Sequence, residues 1–313
     1  MSFSKHFQNY VTKDPFTDII GLAKVKSQLL SALLTDRHVL IMGQPGIGKT
    51  TLAKNVAKLL PDVGGKKGLD RFIRIQGSPD LTVEDLIGDI DPQKALEFGP
   101  LSKEAFVPGK IFQANEGILF FDEVNRCSEK LQNALLQALE EGVATIGSYD
   151  VDLPANFLFI GTLNPQDTST EKLSDAFLDR FDVIEMSFPE TPQDEVKILQ
   201  THGLKLSVDM PPKLVQAIVD FVRSFRDPSR VKKMPGVRAS LGLYERAQAN
   251  ALLNGNKEVT VYDIQQAIPS VITHRIELKP SLKYSTSLDK YVMQEFERII
   301  SGANIQSAKG DLT

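Results

Sequence analysis

Eight consecutive residues, Gly43-Gln44-Pro45-Gly46-Ile47-Gly48-Lys49-Thr50, fit the pattern G-x-x-x-x-G-K-[ST] at every fixed position. The chemistry this spacing serves is phosphate binding. Glycines let the backbone wrap closely around an anion and turn its N–H groups inward at the start of a helix. A lysine in the seventh place brings a point charge to the β- and γ-phosphates, and the hydroxyl in the eighth ligates Mg²⁺. The run from Gly43 through Thr50, with Thr51 beside it, is therefore expected to bind ATP together with Mg²⁺. A glycine-rich turn with no ligand is the plain alternative. Against it, the loop follows an apolar run and opens a helical pattern over residues 51–60.

A phosphate loop that hydrolyses needs an acidic strand end to hold hydrated Mg²⁺. Ile118-Leu119-Phe120-Phe121-Asp122-Glu123 supplies four apolar residues and then two carboxylates, where a parallel strand would leave its sheet. Asp122 is the expected Mg²⁺ partner, and Glu123 is placed to activate water as a general base. Alone, two acids that end a strand and cap the next helix would explain the pair equally well. Beside Lys49 and Thr50 the catalytic reading is preferred.

These residues need a frame. Short, mostly apolar runs at residues 39–42, 72–75, 118–121, 157–160 and 183–186, broken only by Arg74 and Glu185, read as strands covered on both faces, the mark of a parallel sheet. Helical patterns alternate with them, as in βαβ units. Between the third and fourth runs, Ser128 can cap a helix whose apolar face is Leu131, Leu135, Ala138 and Leu139, with Gly142 ending it. After residue 189 the strand signal stops. Helical periodicity recurs at 194–204, 213–225, 238–253, 261–267 and 288–300, with Thr260 and Asp263 forming a capping signature. The expected fold is α/β: a five-stranded parallel sheet flanked by helices over 1–188, a C-terminal all-α lid over 189–300, and a frayed tail over 301–313.

With both loops in view, the chain resembles the AAA+ ATPases across roughly residues 15–280. Gly161-Thr162-Leu163-Asn164-Pro165 looks like that family's sensor-1 segment, in which Asn164 would position the attacking water. Leu178-Asp179-Arg180-Phe181 resembles the arginine-finger motif, so Arg180 would act on the ATP of a neighbouring subunit. Pro235-Gly236-Val237-Arg238-Ala239-Ser240 resembles sensor 2, with Arg238 on the lid near the γ-phosphate. Phe16-Thr17-Asp18-Ile19-Ile20-Gly21 resembles the segment that contacts adenine, giving Ile20 and Gly21 that role. An arginine at a helix end is otherwise a solvated ion pair worth ~0–1 kcal/mol; the surrounding spacing favours the functional reading of both arginines. Within AAA+, the segment from Phe106-Val107-Pro108-Gly109 to Asn115 and an interval at 86–105 are similar to magnesium-chelatase I-subunits, the interval matching the helix-2 hairpin insert. Asp122-Glu123-Val124-Asn125-Arg126 and Leu139-Glu140-Glu141 resemble MoxR proteins.

That resemblance implies a homo-oligomeric ring, expected as a hexamer, that remodels a partner protein, and a von Willebrand A domain protein as that partner. The I-subunit of a magnesium or cobalt chelatase is the nearest alternative. A DNA-associated motor and a nucleotide-gated scaffold without turnover stand further off. Net charge bears on the motor: at −4 it offers no global attraction for nucleic acid. The clusters Lys66-Lys67 and Arg230-Val231-Lys232-Lys233 carry no interleaved aromatics and read as solvated loops. No apolar run approaches a membrane span, and no apolar signal core follows Met1, so a cytoplasmic protein is expected. A lone cysteine, Cys127, reads as a packing residue. Four histidines without ligand spacing argue against a zinc site. Residues 89–104 and 144–153, the latter with a Gly147-Ser148 turn, read as hairpin-like loops suited to touching a substrate or partner.

Overall fold

A computed structural model describes residues 3–100, 102–145, 152–165, 173–284, 286–303 and 305. Among them, five strands form one parallel sheet: β1 His38–Met42, β2 Phe72–Gln76, β3 Ile118–Asp122, β4 Leu158–Leu163 and β5 Phe181–Glu185. Their spatial order is β2-β3-β4-β1-β5. The phosphate-loop strand β1 thus lies between β4 and β5, with the acidic strand β3 on the far side of β4. Val39, Leu40 and Ile41 and all four apolar residues of β3 are fully buried. A strand enclosed on both faces has no solvent side to alternate toward, which is why these runs read as unbroken apolarity.

The helix Glu129–Glu141 forms as its ends dictate. Ser128 Oγ accepts from Leu131 N–H, and Gly142 takes the left-handed conformation at φ 64° that closes a helix. Leu131, Leu135 and Ala138 enter the core beneath β3 and β4, with Leu139 packed at its margin.

The helix-2 insertion is a ribbon that extends past the expected 86–105. Its strands, Gly88–Ile90 and Phe106–Pro108, pair antiparallel between the short helices Val83–Ile87 and Lys110–Gln113. The connection carries a helix, Pro92–Phe98, capped by Asp91. Three-residue strands are too short to show a period, so the Gly- and Pro-rich composition masked them. In the second hairpin, Val143–Thr145 pairs with Asp152–Pro154. Its Gly147-Ser148 turn lies outside the described residues, as do 304 and 306–313; the expected tail begins later than residue 301, since the last helix runs Leu288–Gly302.

Contacts divide the chain into two compact units: Met1–Gln44 with Gly48–Met186, and Pro45–Ile47 with Ser187–Thr313. The second is a helical lid built from Pro192–His202, Pro212–Ser224, Val237–Leu253, Val261–Val271 and Leu288–Gly302. Leu199, Ile218, Phe221, Leu243, Ile268 and Phe296 are among the side chains of its core. The lid also holds a small antiparallel ribbon, Val231–Lys233 with Glu277–Leu278. Most of the basic cluster at 230–233, expected as a solvated loop, is one strand of that ribbon, Val231–Lys233: Val231 is buried and Lys232 pairs with Glu277 at 3.4 Å.

Candidate active site

Parallel strands in register deliver their C-terminal ends to one edge. Met42 stands opposite Leu163, and Gly43 N–H donates to Leu163 O at 3.1 Å. Phe121 stands opposite Gly161, and Gln76 opposite Asp122. The phosphate loop, the acidic pair and Asn164 therefore leave the sheet side by side. Three motifs far apart in sequence meet because three strands end together.

The loop is shaped for an anion. Gly46 (φ 76°) and Gly48 (φ 105°) occupy the left-handed region that side chains resist, and Gly48 is the residue from which the helix Lys49–Leu59 springs. Leading N–H groups of a helix have no intrahelical acceptor and point out of its start, where anions bind. Lys49 Nζ donates to the carbonyls of Gly43 (2.6 Å) and Gln44 (2.8 Å), so the loop's own oxygens hold the ammonium at its mouth. Gln44 Oε1 is buried without a hydrogen-bond partner. Thr50 and Thr51 lie in the helix's first turn. In the unit that contains Pro45–Ile47, Arg238 N–H donates to Gly46 O at 3.2 Å, and a Cβ on Gly46 would come within 3.1 Å of Arg238 Cβ. Ile20 and Gly21 precede the helix Ala23–Leu34, and Asp18 beside them is ion-paired to Lys58 of the phosphate-loop helix.

The acidic pair sits in a dense polar setting. Thr162, on β4 and fully buried, donates its hydroxyl to Asp122 Oδ1 (2.6 Å) and accepts from Glu123 N–H (2.9 Å). Arg74 on β2 reaches Asp122 Oδ2 at 2.7 Å. Glu123 meets Gln76 Nε2 at 3.0 Å and Arg126 at 3.2 Å. Its backbone is left-handed, φ 57°, a conformation a non-glycine residue holds only when its surroundings impose it. Gly77 is part of that imposition: its N–H donates to Asp122 O (2.7 Å), and a Cβ there would fall 2.1 Å from Glu123 O. Sequence reasoning named none of Arg74, Gln76, Gly77 or Thr162 for this duty, although Thr162 stood inside a motif already singled out.

Arg180 lies elsewhere. It precedes β5, whose first residue, Phe181, is in register with His38 at the opposite end of β1 from Gly43. At ~3.3 Å per strand residue, that is on the order of 16 Å along the sheet. Its guanidinium donates through Nε to Glu140 Oε1 at 2.6 Å and through Nη2 to the same oxygen, with Asp179 at 3.4 Å.

The donors available to a metal are hard oxygens, the Thr50 hydroxyl and the Asp122 carboxylate. Among the described residues no group of three or more His, Cys, Asp or Glu gathers to cage an ion. That set fits Mg²⁺, which keeps several waters and binds through one or two carboxylates plus substrate phosphates.

A model of the ATPase family associated with various cellular activities (AAA) matches residues 38–183, and a model of the AAA lid domain matches 233–290. The uncharacterized protein YeaC of Bacillus subtilis is 31% identical over 303 residues, covering 88% of this chain and 89% of that protein. The chain belongs to the AAA+ ATPase family. Chaperone MoxR1 of Mycobacterium tuberculosis is 29% identical over 297 residues, covering 83% and 73% of the two chains. Magnesium-chelatase subunit ChlI of Olisthodiscus luteus is 27% identical over 330 residues, covering 91% and 96%. This AAA+ protein thus falls in the MoxR and magnesium-chelatase I-subunit-like group, and it is an ATP-hydrolysing enzyme. No helix among its described residues is long and apolar enough to cross a membrane.

Proposed function

We propose that this AAA+ ATPase works as a ring, the sixfold one its resemblance implies, whose ATP sites are each completed by a neighbouring copy. The observation that carries the reading is the position of Arg180 at the far end of the sheet from Gly43. An arginine needed at the γ-phosphate but seated on the order of 16 Å along the sheet serves another subunit's site. In each site, Gly43 to Thr51 cradle the phosphates, Lys49 neutralises them, and Thr50 with Asp122 holds Mg²⁺. The metal's contribution is to offset charge on the phosphate oxygens. Glu123 takes the proton of the attacking water, Asn164 orients that water, and Arg238 reads the γ-phosphate from the lid. Ile20 and Gly21 border the adenine.

The work of the cycle, in this reading, is to remodel or activate a partner protein, one bearing a von Willebrand A domain, in the service of metal or cofactor insertion. Similarity to a chaperone, MoxR1, supports the remodelling part of this reading, and the von Willebrand A partner and the insertion role rest on the resemblance alone. A second reading, the ATPase subunit of a magnesium or cobalt chelatase, is favoured by the near-complete coverage of ChlI. Retention of a tetrapyrrole-handling subunit by the Glu123→Gln form would select it. A cytoplasmic place of action fits the single, buried cysteine.

Complementation tests the shared site. Arg180→Ala removes a group worth ~10³–10⁵ in rate, and Lys49→Ala removes nucleotide binding, so each protein alone is inactive. In a mixture that exchanges subunits, a site with intact Lys49 can meet a neighbour with intact Arg180. Statistical mixing makes that about a quarter of the interfaces, so activity returns to roughly that share. No recovery at any ratio would remove the trans assignment.

A further inference from the structure

Glu195 is a carboxylate with no exposure at all, seated on the lid helix Pro192–His202. Such a group is tolerated only when paired and hydrogen-bonded. Arg226 meets both of its oxygens in a fork, Nη1 to Oε2 and Nη2 to Oε1, each at 2.7 Å. Ser240 Oγ donates to Oε1 at 2.5 Å, and Arg223 Nη1 approaches Oε2 at 3.4 Å. A buried ion pair is weak evidence of stabilisation, since apolar residues of equal volume often serve as well or better. Its reach into the surrounding backbone is more informative.

Arg226 also reaches a loop: Nε donates to Pro235 O at 3.0 Å. Its guanidinium lies 4.3 Å above the Phe188 ring, while Arg223 donates to the carbonyls of Pro189 (3.0 Å) and Glu190 (3.2 Å). The network therefore grips the chain at Pro235 and again at Ser240. Between those two points stands Arg238, whose N–H is bonded to Gly46 O. Next to it, Gly236 runs so close to the phosphate loop that a Cβ would fall 2.6 Å from Pro45 O. A residue bracketed three positions before and two positions after cannot shift without breaking a charge-assisted bond.

We propose that Glu195 and Arg226 are positioning residues for ATP hydrolysis: they fix the first turn of Val237–Leu253 and thereby aim Arg238. The proposal rests on reading Arg238 as the lid's γ-phosphate contact. It assigns the pair an effect on turnover rather than on nucleotide capture. The same fork also ties Phe188, at the start of the lid, to the turn that carries Arg238.

The test is a double-mutant cycle on the full chain, read by steady-state hydrolysis over a range of ATP concentrations. Lysine cannot reproduce the fork and the Nε contact together, so Arg226→Lys is expected to lower kcat at least about tenfold, with KM for ATP within about threefold. In an Arg238→Ala background the same substitution should change the rate less than about twofold, because the group it aims is gone. Equal losses in both backgrounds would overturn the positioning role and leave the pair merely structural. Should Arg226→Lys fail to fold, Ser240→Ala, which trims one hydroxyl, runs through the same cycle: a loss confined to the Arg238 background supports the role, and equal losses overturn it. A normal rate for Arg238→Ala alone would instead overturn the underlying reading of Arg238. The two failures are thus told apart.

Discussion

Thr162 ties the Asp122 carboxylate to the Glu123 backbone with a single hydroxyl. It donates to Asp122 and accepts from the Glu123 N–H, while buried at no exposure. Thr162→Val keeps the shape and removes both bonds. One buried N–H then lacks an acceptor, at a cost of ~1–3 kcal/mol, and Asp122 loses the partner that orients it. Because Glu123 already occupies a left-handed backbone position, the released strain would turn its side chain away from the water it is to activate. The expected result is a fall in turnover of ten- to a hundredfold, about 1.4–2.8 kcal/mol, with ATP affinity changed little. Titration with a fluorescent nucleotide and a phosphate-release assay measure the two quantities separately; lost affinity at unchanged kcat would refute the assignment. Lys49, Asp122 and Glu123 were legible because each motif is a run of adjacent residues. Thr162, Arg74 and Gln76 were not, because what brings them to the acids is strand register between segments some 40 to 50 residues apart.

At the scale of elements, β1 begins with a side chain doing a backbone's duty. His38 Nδ1 accepts from Phe159 N–H at 3.1 Å, extending the β1–β4 ladder where β1 has only started. Burial pushes the His38 pKa from 6.5 down to about 4, against the opposing pull of the Leu139 backbone and Asp36. The sign follows directly. As pH falls through 6.5 the unfolded chain takes up this proton and the folded chain does not, so stability is complete above that value and drains away toward pH 4. A shift of that size corresponds to ~3 kcal/mol at most. Urea midpoints of the wild type and His38→Asn, followed from pH 7.5 to 4, should therefore converge as pH falls, the wild type losing the larger share; parallel curves would exclude His38. Sequence alone could say only that four histidines lack metal spacing, since the partner of this one lies 121 positions away. The central strands β1, β3 and β4, by contrast, were readable to within a few residues, because enclosure on both faces leaves an unbroken apolar signature; β2 and β5, at the sheet's edges, are only partly buried and carry Arg74 and Glu185 in their runs. The three-residue ribbons at 88–90, 106–108 and 231–233 left none.

For the whole molecule, the decisive relation is between the two ends of one sheet. The phosphate loop, Asp122, Glu123 and Asn164 leave it at the C-terminal edge, and Arg180 enters at the other, held there by Glu140. Glu140 neutralises Arg180 within the chain, and that exposed pair is worth only ~0–1 kcal/mol. If Arg180 serves a neighbour's site, as proposed, a triphosphate presented there carries more charge than one carboxylate and outcompetes it. Assembly and catalysis are then linked: ATP that binds better between copies than on a single copy must draw copies together by the same factor. Specific activity per subunit is expected to rise with protein concentration, steeply at first and then to a plateau. Added salt should move the midpoint upward, since the contact is charged and partly exposed. Glu123→Gln, which binds ATP without consuming it, should accumulate the assembled form, visible as an ATP-dependent increase in mass by sedimentation. Glu140→Gln weakens the nearer of Arg180's two intrachain ion pairs and should shift the activity midpoint to lower protein concentration by about two- to fivefold, the equivalent of that weak pair. Activity per subunit that stays flat across concentration, with no ATP-dependent change in mass, would mean that each chain completes its own site, and Arg180 would then have no part in it.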